Sequence, residues 1–169
     1  MEVDVKDKLI RVIELLDDNI YYLAYGSNLN KKQMKHRCKD SICIGSSILE
    51  NYKLKFNLYL TIEKEEKSIV PIGVYKISKE DEKALDRYEG YPTLYSKQYI
   101  TIKINGRKEK ALIYLMNPQF DYKIPSQGYI NICKKGDNAF NFDTTILDKA
   151  LEYTAQRITN SYQKIKTNE

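Results

Sequence analysis

Two stretches of this 169-residue chain hold most of the groups able to do chemistry. The first is YYLAYGSNLN, residues 21–30, where an apolar, aromatic run enters Gly26-Ser27-Asn28. A turn that leaves a strand and enters a helix converges several backbone N–H groups on one point, with the helix dipole behind them. Such a nest holds a carboxylate, a phosphate or a developing oxyanion. The bland alternative is a tight strand-to-helix turn capped by Asn28 or Asn30. The second stretch is ALDRYEGYPTLY, residues 84–95. Here Glu89 sits in the last turn of a helix that Gly90 stops, where the negative end of the dipole disfavours ionisation. Shielding by Tyr88, Tyr91 and Tyr95 would raise its pKa further and make it a usable general acid–base near neutrality. The alternative is a solvated glutamate at a frayed helix end.

Other chemistries find little support. His36 is the single histidine, and Cys38, Cys43 and Cys133 show no ligand spacing, so no metal site is expected. The order Tyr25-Gly26-Ser27-Asn28 lacks the GxSxG elbow and the phosphate-loop pattern. Residues two apart on a helix diverge, which separates His36 from Cys38.

The elements that must position these residues follow from periodicity. Leu9, Val12, Ile13 and Leu16 predict an amphipathic helix over 5–17, read as an N-terminal extension over 1–19, with the single domain spanning 20–169. Ile20 to Ala24 reads as a short buried strand. Asn30 with Gln33 resembles a capping box opening a helix to about Lys39. Residues 42–48, 52–60 and 69–77 are β-like, and 98–104 with 109–116 flank the hairpin signal Asn105-Gly106. Helices are expected over 78–89, started by Ser78 and Asp81, over 126–135, closed by Gly136, and from 143 to about 161. Strands in sequence-adjacent pairs without a βαβ rhythm predict an α+β fold: a mostly antiparallel sheet closed into a small β-barrel with flanking helices.

Composition bounds the setting. No run approaches the roughly 20 apolar residues that span a bilayer, no signal peptide is evident, and three cysteines without CxxC spacing fit a reducing compartment, so a cytoplasmic protein is expected. Net charge is +5, but most lysines lie beside acids, as in EKEEK (63–67). Lys31, Lys32, Lys35, His36, Arg37 and Lys39 come closest to a basic face, which is weak support for nucleic-acid binding.

With both stretches in view, the chain resembles the γ-glutamylcyclotransferase-like superfamily, in particular its small AIG2-like members. The likeness runs from Tyr21 to about Phe142 and is carried by YGSNL followed at distance by LDRYEG, with ALIYLM and IPSQGY after them. The resemblance implies a small β-barrel and a reaction in which the α-amine of a γ-glutamyl compound attacks its own γ-carbonyl. It implies Glu89 as general acid–base, Tyr25, Gly26, Ser27, Asn28 and Leu29 as the binding loop with Tyr22, Leu23 and Ala24 leading into it, and Tyr129 as a substrate contact. It further implies a small-molecule γ-glutamyl substrate and no cofactor, metal, nucleic acid or membrane partner. Two departures bear on the substrate: Gly128 stands where other members carry a larger residue, and the stretch between Leu54 and Val74 is short. The competing reading is a non-catalytic module binding a small carboxylate or amine on the same fold.

Overall fold

The computed structural model describes residues 5–9 and 19–168. Residues 5–9 are helical, and the rest of the expected N-terminal helix lies outside the described residues. From there the order is β1 (Ile20–Ala24), a single 3-10 turn (Ser27–Leu29), α1 (Lys31–Arg37), β2 (Ile42–Asn57), β3 (Tyr59–Ile77), α2 (Lys79–Tyr88), β4 (Tyr95–Ile104), β5 (Arg107–Met116), α3 (Gln127–Ala139) and α4 (Thr145–Thr167).

The strand β1 is central because both its faces are apolar. Leu23 packs into one core with Phe56, Ile72, Ile113 and Leu147. Tyr22 and Ala24 pack into the other with Met34, Leu85, Tyr95 and Leu112. A strand buried on both sides reads as the continuous apolar run seen in the sequence. It pairs antiparallel with β3 and parallel with β5, in a five-stranded sheet of order β2-β3-β1-β5-β4.

The expected closed barrel is not formed; the sheet is open. Its edge strands β2 and β4 approach each other, and Ser47 Oγ reaches Lys103 O at 3.3 Å, but no ladder joins them. Closure needs a register that every strand can satisfy around the ring. Part of β2's outer edge is instead spent elsewhere: the Phe56 N–H donates to Thr154 Oγ1 of α4 at 3.0 Å, and Phe56 O accepts from Lys123 N–H at 3.2 Å. Alternation of residue types cannot specify this.

Three expected strands over 42–77 are two long ones. The second expected run breaks at Leu58, whose φ of 70° makes the tight hairpin connection, and residues 59–64 pair back along β2, with the ladder resuming at Ile69 after a register shift. The charged stretch 63–67 therefore belongs to a two-stranded ribbon, where Glu63 meets Lys55 at 3.0 Å and Glu65 meets Lys53 at 2.9 Å. The Asn105-Gly106 hairpin forms as expected, both residues at positive φ.

Ser78 and Asp81 form a full capping box at the start of α2, and Gly90, at φ 62°, ends the turn that Glu89 caps. Gly136 does not close α3, which continues to Ala139. It is needed for close approach: a Cβ there would lie 2.7 Å from Leu29 Cβ and 2.8 Å from Asn30 N. The α3 helix thus presses directly on the turn after β1. Among the described residues no helix is long and apolar enough to cross a membrane.

Candidate active site

The turn at Gly26–Leu29 is held by its own backbone. Leu29 N–H donates to Gly26 O at 3.0 Å and Asn30 N–H to Ser27 O at 3.1 Å. These bonds occupy the Leu29 donor and leave Gly26, Ser27 and Asn28 as the backbone donors not consumed by the turn. A Cβ at Gly26 would make only ordinary contacts, 3.4 Å from Leu60 Cβ and 3.5 Å from the Tyr129 hydroxyl.

Glu89 comes to this turn from the end of α2. Its N–H closes the last helical turn on Leu85 O at 2.8 Å, and its carboxyl Oε1 accepts from Asn28 Nδ2 at 3.2 Å. The same Nδ2 donates to Tyr22 Oη at 2.8 Å. Burial pushes the Glu89 carboxyl up to about 7, against the smaller opposing pulls of the Arg37 cation and the Asn28 hydrogen bond. A group balanced at this point both accepts and returns a proton near neutral pH.

Glu89 stands where two chambers meet. The inner one, about 30 Å³, is lined by Tyr22, Tyr25, Ser27, Asn28, Tyr95 and Tyr114 among others; the outer one, about 240 Å³, opens past Tyr59, Tyr88, Gly90 and Leu94. Ser27, Glu89, Tyr95 and Tyr129 border both. Tyrosine hydroxyls hold the walls still. Tyr25 donates to Tyr114 O at 2.6 Å and Tyr95 to Leu60 O at 2.8 Å, while Tyr129 Oη accepts from Leu60 N–H at 3.0 Å. Leu60, the second residue of β3, is therefore pinned through both its backbone groups.

A larger groove of about 790 Å³ lies between the β2–β3 ribbon and α4. Of its basic side chains, Lys53 is already paired with Glu65 at 2.9 Å. The smaller cavity, with its buried carboxyl and backbone donors, is the candidate site.

The structure brings Tyr22, Tyr25, Gly26, Ser27, Asn28, Tyr129 and Glu89 to one cavity. It does not bring Leu23, Ala24 or Leu29 there: their side chains are buried in the two cores and shape the turn from behind. Tyr91, expected to shield Glu89, lies against Lys97 at the surface, while Tyr88 and Tyr95 do border the cavity. Gly128 lies outside the lining, and a Cβ there would meet only Ser126 Oγ, at 4.0 Å.

Arg37, part of the basic face expected over residues 31–39, turns inward. It donates to Asn28 Oδ1 at 2.5 Å and lies 3.4 Å over the Tyr88 ring. Leu60 and Tyr114 are further cavity residues that sequence reasoning missed. The signal for Arg37 was its place at the end of the short helix that follows the turn, which directs it back along that helix. Leu60 and Tyr114 carried no local signal, because both reach the site through pairing over long sequence separations.

The mixed sheet thus sets the backbone donors of the turn beside a partly neutralised carboxyl in a tyrosine-walled cavity, a candidate site for a small molecule. The chain belongs to the family described as gamma-glutamyl cyclotransferase, AIG2-like, which residues 22–131 match. No curated protein matches it. Among solved structures it is similar to one named gamma-glutamyl cyclotransferase, at 22% identity and TM-score 0.67, over 82% of this chain and 85% of the other. An uncharacterized protein from Homo sapiens is similar at 23% identity and TM-score 0.66, over 83% and 86%. YkqA from Bacillus subtilis is similar at 21% identity and TM-score 0.66, over 84% of this chain but 57% of that longer one. At such identities these neighbours establish the shared fold.

Proposed function

We propose that the protein is a γ-glutamyl cyclotransferase-type enzyme that converts a γ-glutamyl amine or amino acid into 5-oxoproline and the free amine. The observation that carries this reading is Glu89, its carboxyl raised to about 7 and held by Asn28 directly beside the Gly26–Asn28 backbone donors. Glu89 removes a proton from the substrate's α-ammonium. The freed amine attacks the γ-carbonyl carbon, forming the ring C–N bond and a tetrahedral oxyanion. The N–H groups of Gly26, Ser27 and Asn28 are the donors available for that charge or for the substrate's α-carboxylate. As the intermediate collapses, the bond to the leaving nitrogen breaks, Glu89 returns its proton to that nitrogen, and the second proton of the ring nitrogen passes to the departing amine, which leaves as an ammonium. Ring closure is intramolecular, so holding the substrate folded on itself removes much of the barrier.

The outer chamber, walled by Tyr59, Tyr88 and Leu94, is the space left for the departing amine. The test is 5-oxoproline release from a panel of γ-glutamyl amino acids and amines, wild type beside Glu89→Gln. General acid–base loss of about a thousandfold is expected in the variant, with the fold retained. Binding of a panel member without release by the wild type would replace this reading with that of a small-ligand binding module. Full turnover by Glu89→Gln would remove the mechanism.

A further inference from the structure

We infer that Arg37 is a positioning residue of the Glu89 site: by fixing the amide of Asn28 it commits Glu89 Oε1 to a hydrogen bond and reserves Oε2 for the moving proton. The inference rests on the proposed role of Glu89 as proton acceptor. An asparagine amide has a donor end and an acceptor end, and the partner decides which way it faces. A guanidinium carries donors only, so Asn28 must turn Oδ1 toward Arg37, from which it accepts at 2.5 Å. Its Nδ2 is then left facing Tyr22 Oη at 2.8 Å and Glu89 Oε1 at 3.2 Å. Among the described residues the one hydrogen bond to the carboxyl falls on Oε1, and Glu89 lines the cavity.

Arg37 is itself held on two further sides. Its Nη2 donates to Gln33 Oε1 at 2.5 Å, and its plane stacks on Tyr88 at 3.4 Å, the residue preceding Glu89. It also reaches Ser27 Oγ at 3.4 Å. One side chain therefore ties α1, the turn and the end of α2 together. A lysine keeps the charge but has neither the planar fork nor the stacking face.

The other titratable groups around Glu89 do not compete near neutrality. Tyr22 of β1, Tyr25 of the turn, Tyr95 of β4 and Tyr129 of α3 are all pushed well above the ordinary tyrosine value by burial. Burial also pushes the Cys38 thiol up to about 12. Arg37 is the charge that favours the Glu89 carboxylate, directly and through the amide it orients.

The experiment uses R37M and R37K, with the pH profile of 5-oxoproline release and a direct carboxyl-carbon NMR titration of Glu89 in the free protein. In R37M the Glu89 midpoint and the acid limb of kcat/KM should rise together by about one pH unit, and kcat should fall about tenfold with KM little changed. In R37K the retained charge should hold the midpoint closer to the wild-type value than in R37M, while kcat still falls because the lysine has no planar fork or stacking face to fix the amide. A folded R37M protein with an unmoved Glu89 midpoint overturns the inference, as does R37K with wild-type kcat. If R37M does not fold, R37K decides. If the wild type releases no 5-oxoproline, the proposed reaction fails, yet the NMR titration still tests whether Arg37 acts on Glu89.

Discussion

Two glycines face the turn that carries Ser27 and Asn28, and they resist substitution for different reasons. At Gly136 a methyl group would meet backbone, 2.8 Å from Asn30 N and 2.9 Å from Leu29 C. At Gly73 it would meet side-chain tips, Phe140 Cζ at 2.7 Å and Leu29 Cδ2 at 2.8 Å, which can move aside. Overpacking in a close-packed interior costs about 1–3 kcal/mol. Gly136→Ala should sit at the upper end and also slow turnover, since the cheapest relief displaces the turn. Gly73→Ala should cost less and leave the turn in place. Urea unfolding of the two variants checks this, and an equal or larger loss for Gly73→Ala would contradict it. The turn at Gly26-Ser27-Asn28 and the place of Glu89 at a helix end were legible in sequence because each depends on its own local element. The glycine at 136 was misread because a helix-ending glycine and one that admits a neighbouring backbone look alike in one dimension.

At the scale of elements, α3 is the strut behind the site. It presents Tyr129 to the cavity, buries Cys133 in the core, abuts the turn through Gly136 and buries Asp137. Among the described residues Asp137 Oδ2 has no hydrogen-bond partner, and burial, followed by the nearby Asp143 charge, pushes its carboxyl up to about 7. Its folded value lies above its unfolded value, so the native state binds the extra proton. That contribution to stability is full below the unfolded carboxylate range and is lost as pH rises through about 7. Glu89 acts in the same direction. Stability should therefore fall between pH 5 and 8, and Asp137→Asn should flatten the fall. A gain of about 1 kcal/mol at pH 8 would raise Tm by roughly 2–4 °C. Thermal unfolding at both pH values reads it, and a parallel fall in the variant would show that Asp137 does not titrate in this window. Helix starts were legible, as at Ser78, because caps are local. The openness of the sheet was not, since it turns on Phe56 giving its N–H to Thr154, a residue 98 positions away.

At the scale of the whole molecule, the sheet is built from one local ribbon and one remote pairing. The β2–β3 ladder closes around Leu58, whereas β1 must find β5, with Tyr25 and Tyr114 joined across 89 residues. Local closures form early because they cost the least chain entropy. Ile72→Val in β3 and Ile113→Val in β5 make the same deletion at fully buried positions, each worth about 1 kcal/mol. The first should mainly slow folding and the second mainly speed unfolding in stopped-flow chevrons. Equal partition would refute this order. Tyr129, 69 residues beyond its partner Leu60, joins later still. A chain emerging from the ribosome would then carry its turn and its glutamate long before the cavity around them exists, and would stay inert until α3 docks.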